Sequence, residues 1–130
     1  MSRFDSIANP VKDERGAHPV ATAWRPVLAE IVRAFARGDY GLSKPLAAVE
    51  AVTKQTAEQI RAYVGSYGAT LVELSAESWD TSCAQWMGDH WEVLVDLWTK
   101  EEGHSDLVLF LKVVESGGEP RFSVQSVHVP

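Results

Sequence analysis

The sequence predicts an α+β domain: two or three N-terminal helices packed on a mostly antiparallel, curved sheet of four to five strands. Three observations carry that prediction. Apolar residues recur at three- and four-residue steps through the first half of the chain, and from Ala69 onward the period shortens to two. Two apolar runs, 91–98 and 107–114, flank a polar, Gly-containing connection at 99–105, the pattern of an antiparallel strand pair. Helices first and strands afterwards place the helices together on one sheet face.

Residues 1–22 hold Pro10, Gly16, Pro19 and the charged run KDER without sustained periodicity, and read as an arm that Phe4 and Ile7 would anchor. The body, 23–130, is then a single domain. Its first helix spans 23–37, with Trp24, Val27, Leu28, Ile31, Val32 and Phe35 on one face. Thr22 is the expected N-cap, Pro26 falls in the first turn, and Gly38 suits the left-handed cap. Gly41 and Pro45 break the next stretch, in which LAAVEAV reads as either a helical turn or an extended packing segment. A second helix over 54–66 is capped by Thr53 or Thr56, carries Ile60, Tyr63, Val64 and Tyr67 on its apolar side and ends at Gly68.

The strands follow. Residues 70–74 read as a short strand, 75–81 as a turn or one helical turn, and 82–87 as a strand closed by a Gly88-Asp89 turn. Next come 91–98, 107–114 and, after the turn at 116–120, a last strand at 121–129. Apolar positions in that last strand begin even (Phe122, Val124) and finish odd (Val127, Val129), so a bulge or twist is expected near Gln125-Ser126. Trp91, Val93, Val95 and Leu97 share one face of their strand, and Leu107, Leu109, Leu111 and Val113 one face of the next. These are the core faces. Leu94, Trp98, Val108, Phe110 and Val114 point the other way, so a helix, the arm or a partner chain is expected to cover part of the second face.

Bulk properties narrow the function. A chain of 130 residues is one domain by size, and no apolar run approaches the ~18 residues a membrane helix needs. The N-terminus lacks the apolar stretch of a signal peptide, and the single Cys83 fits a reducing compartment, so a cytoplasmic location and no membrane association are expected. Charge is unevenly placed: nine acidic side chains between Glu73 and Asp106 face Lys100 alone. Such a surface repels phosphate backbones and argues against nucleic-acid binding; a cationic protein partner fits it.

Only one constellation could do chemistry, Asp89, His90, Asp96, His104, Asp106 and His128. It lacks the close-set His pair of a zinc site, and solvated turn and edge carboxylates explain it better. If Trp98 faces Asp106 across the hairpin, Asp96 faces Val108 and the two aspartates become diagonal neighbours able to raise one pKa. His104-Ser105-Asp106 contains the residue types of a triad, but consecutive residues of an extended chain diverge, and Ser105 and Asp106 are expected to hydrogen-bond the connection instead. Cys83, without a basic neighbour, reads as a structural thiol. Neither a cofactor nor a metal is expected.

The runs TAEQIRAYVGSYGATLVELSAESWDTS and WMGDHWEVLVDLWTKEEGHSDLVL, with the closing VHVP, resemble a family of short bacterial proteins of unknown function over residues 24–130. His104 stands where that pattern carries arginine. The resemblance implies a compact domain that keeps its hairpin, and no activity. EIVRAFARGDYGL is similar to the end of the first helix of NTF2-like domains, which implies a pocket for a small ligand. The expectation is therefore a non-catalytic interaction domain of the accessory or immunity type, meeting a cationic partner or a second copy. Its surface would include Asp96, Trp98, Glu101, Glu102, His104, Asp106 and Phe110. The alternative is an NTF2-like ligand-binding or enzymatic domain whose pocket is lined by Trp, Asp and His.

Overall fold

The computed structural model describes residues 9–130; Phe4 and Ile7, the expected anchors of the arm, lie outside them. Strand β1 (His18–Pro19) leads through a tight helical turn, Thr22–Trp24, into α1 (Arg25–Ala36). Helix α2 (Lys54–Tyr67) follows, then a second short turn of 3-10 helix, Ala76–Asp80, and strands β2 (Cys83–Trp86), β3 (Trp91–Thr99), β4 (Gly103–Ser116) and β5 (Glu119–His128). The sheet runs β1-β2-β3-β4-β5, antiparallel throughout and open at both ends. Two α-helices beside a five-stranded antiparallel sheet make an α+β fold.

Both helices form where the apolar stripe demands it. Leu28, Ile31, Val32 and Phe35 of α1 and Ile60 and Val64 of α2 are buried. Pro26 lies in the first turn of α1, which has no side-chain cap: Thr22 belongs to the preceding tight turn and the helix starts behind Trp24. The α2 cap is as expected, with Thr53 Oγ1 accepting from the Thr56 N–H at 3.1 Å and Gly68 left-handed at φ 80°. Between the helices, Asp39 accepts from the Ser43 backbone and hydroxyl. A single parallel bridge, Val49 to Phe122, then joins this stretch to β5: the Phe122 N–H donates to the Ala48 carbonyl and the Glu50 N–H to the Phe122 carbonyl, both at 2.8 Å. The expected strand at 70–74 shrinks to a single bridge, Leu71 to Thr99.

Parity places the core. Trp91, Val93, Val95 and Leu97 of β3 and Leu107, Leu109, Leu111 and Val113 of β4 join the buried helix residues in one cluster with Phe122, Val124 and Val127. Trp24 stands edge-on to both Trp91 and Phe122, with ring centroids 5.1 and 5.7 Å apart. The bulge in β5 sits at Gln125, because Leu111 pairs with Val124 while Phe110 pairs with Ser126. The β4–β5 turn has both Gly117 and Gly118 at positive φ, 60° and 83°, the two-residue turn whose twist suits a hairpin. Residues expected in the arm contribute to the body: His18 and Pro19 pair with β2, and Val20 and Ala21 are buried.

The free edge of β5 is partly guarded. On β5, the Gln59 side chain donates to the Val127 carbonyl and Tyr63 Oη accepts from the Val129 N–H, so α2 occupies backbone groups that would otherwise template another strand.

Candidate functional site

The buried residues of α1 and α2 all belong to the first-face cluster. The ladder on the second face is read directly from the register of β3 and β4. Successive pairs are Glu92 opposite Lys112, Leu94 opposite Phe110, Asp96 opposite Val108, and Trp98 opposite His104. Leu94, Asp96, Trp98 and Phe110 are half-buried, Val108 is buried, and Glu92, Lys112 and His104 are exposed.

The last of these pairs corrects the sequence reading, which set Trp98 against Asp106. Thr99 pairs with Gly103 across a three-residue loop, and Gly103 adopts φ 75°, open to glycine at little cost. The strands then reach Asp96–Val108 only because β4 carries two extra residues between His104 and Val108. Ser105 holds this irregularity together: its buried hydroxyl donates to the Leu97 carbonyl at 2.8 Å and accepts from the Leu107 N–H at 3.2 Å. That hydroxyl serves the backbone, so the His104-Ser105-Asp106 run is not a triad.

Two imidazoles lie flat on aromatic rings. His104 stacks on Trp98 with centroids 5.4 Å apart, and His128 on Phe110 at 4.2 Å and 3° between planes. Tyr63 meets His128 edge-on. Trp98 is thus a floor for His104 rather than a free anchor, and its buried indole N–H has no acceptor among the described residues.

Asp96 is the polar centre of the face. Its Oδ2 accepts from the Thr81 hydroxyl, and His104 Nε2 lies 3.5 Å away. Its backbone is held too, since the N–H donates to Ser82 Oγ and the carbonyl accepts from Ser78 Oγ. Asp96, His104, Asp106, Val108, Val129 and Pro130 line a recess of about 320 Å³. Beside it, Leu94 and Phe110 floor a trough of about 540 Å³ rimmed by Gln85, His90, Glu92, Lys112, Gln125 and His128. His90 therefore belongs to the trough, with its Nδ1 2.5 Å from Asp89, and does not reach Asp96 and Asp106. No group of three or more His, Cys, Asp or Glu among the described residues is arranged to hold a metal ion.

Glu101 and Glu102 act locally. Glu101 accepts the Thr70 N–H at 2.8 Å, which holds its carboxyl below the usual range. Glu102 accepts from Tyr67 Oη at 2.5 Å; this bond raises the Tyr67 pKa, and the same Oη accepts from the Asp106 N–H. The pair ties the β3–β4 loop to α2. Cys83, opposite Leu94, is half-buried, and burial followed by the charge of Asp96 raises its thiol pKa.

Sequence reasoning missed the hydroxyls of Ser78, Thr81 and Ser82 around Asp96 and the polar role of Tyr67; it included His128 among the candidates without placing it on the second face. The bulge at Gln125 was the available signal for His128, because one inserted residue turns Ser126 and His128 onto the second face.

The family model for Domain of unknown function (DUF7668) matches residues 32–130, from within α1 to the last residue. The chain belongs to this family. The match takes in β2 to β5 entire, so every residue of the second-face ladder lies inside the family domain. No curated protein and no solved structure matches the chain. No helix among the described residues is long and apolar enough to cross a membrane.

Proposed function

We propose that this DUF7668 domain is a non-catalytic protein-interaction module whose working surface is the second face of its sheet. One observation carries the reading: Leu94 and Phe110, paired across β3 and β4, floor an open trough on the face opposite the core cluster. Apolar side chains ringed by polar ones are the arrangement of a docking patch, in which aromatic residues supply most of the binding energy. Several polar groups around the face have structural roles or are unreactive. Ser105 bridges the β4 irregularity, Glu101 and Glu102 secure a loop, and Cys83 has its thiolate disfavoured.

Site-specific photo-crosslinking in cells tests this. A photoreactive amino acid at Gln125 on the trough rim should give discrete protein adducts that Phe110→Ala weakens; the same group at Glu58, exposed on α2, should give none. Equal labelling at both positions, or none at either, refutes the reading. Adducts of twice the chain mass would make the partner a second copy.

A further inference from the structure

Resting on that reading, we propose that the partner presents an extended segment with an apolar residue and a basic residue two positions apart, the first over Leu94 and Phe110 and the second beside Asp96 and Asp106. The charge along the face is asymmetric. At one end Glu92 stands opposite Lys112, and the two charges balance. At the other end Asp96 has as partners only a neutral hydroxyl and an imidazole 3.5 Å away, and the Asp106 carboxylate has no partner among the described residues.

Five other acidic residues have internal partners. Glu73 pairs with Arg33 at 2.8 Å, Asp89 with His90, Glu115 with Lys12 at 2.6 Å, and Glu101 and Glu102 with Thr70 and Tyr67. Of the carboxylates in the second-face recess, Asp96 and Asp106 are the two left to meet an external cation.

Spacing makes the pattern specific. The Leu94–Phe110 and Asp96–Val108 pairs are two residues apart on the same face, roughly 7 Å at the usual strand rise, which alternate side chains of another extended segment match. Val108, Val129 and Pro130 wall the recess with apolar surface, suited to the methylene stem of an Arg or Lys whose charged head lies between the aspartates. Guanidinium is the better fit, since it can bond one carboxylate and stack on the His104 ring at the mouth.

Fluorescence polarisation with labelled ten-residue peptides tests the proposal. One peptide alternates threonine with leucine and arginine, a second has glutamate for arginine, and a third keeps the first composition with leucine and arginine never two apart. The first should bind, with Kd raised at least about tenfold by Asp106→Lys and unchanged by Glu58→Lys, an identical charge change on α2; Phe110→Ala should weaken it too. The other two peptides should not bind. Asp106 is exposed and its side chain bonds nothing, so the variant keeps its fold, which a melt verifies. No binding of the first peptide, equal binding of the third, or equal loss in Glu58→Lys overturns the proposal. If crosslinks at Gln125 persist in that case, the docking face stands and the basic partner falls; if they are absent too, both fall.

Discussion

The two faces of one hairpin share a backbone and divide their work by parity. On the first face, Trp91, Val93, Val95 and Leu97 are at most 1% exposed and share one cluster with the buried residues of both helices. On the second, Glu92, Leu94, Asp96 and Trp98 leave the same strand and remain exposed or half-buried. The first face obtains its stability from close packing; the second keeps its side chains in place with stacked rings and hydrogen bonds, which leave area available. Changes on the first face should therefore read out as stability, and changes on the second as binding.

The largest test of that contrast pairs two aromatic truncations. Trp91→Ala removes a buried ring that touches Trp24 and Trp86 and donates to the Val11 carbonyl, and should destabilise by about 3–5 kcal/mol in urea unfolding. Phe110→Ala, with its ring half-buried beneath His128, should cost about 1 kcal/mol. Comparable losses would mean the second face is as much core as the first.

A medium effect separates adjacent residues. Ser105→Ala leaves the Leu97 carbonyl and Leu107 N–H without their bridge and should destabilise by about 1–3 kcal/mol. His104→Ala, on the opposite face, should stay within about 0.5 kcal/mol. A larger loss for His104 would make its stack on Trp98 a structural element.

The smallest effect is chemical. Cys83 has a raised thiol pKa, so the midpoint of its alkylation rate against pH should lie higher in the folded chain than in urea. The sign follows from burial and Asp96 both disfavouring the thiolate. A midpoint unchanged by unfolding would show that water and charge reach this part of the second face freely.

Much of this was legible in the chain. The α1 and α2 stripes, the Thr53 cap, the core faces of β3 and β4 and the bulge near Gln125 all follow from periodicity or parity, which are local consequences of 3.6- and 2-residue repeats. The site was less legible. Parity places Asp96 and Asp106 on one side of the hairpin, yet Trp98 was set against the wrong residue, because a two-residue excess in β4 keeps parity and leaves no trace in the alternation. Glu101 and Glu102 were read as surface charge, and their roles depend on Thr70 and Tyr67, more than thirty residues away.

The sequence alone therefore determined which side chains share a face, since alternation along an extended chain needs no partner to be defined. Tertiary structure decided which carboxylates stay available and how the register slips at Ser105. Each of these depends on hydrogen bonds and contacts between segments distant in the chain, and no local repeat encodes them.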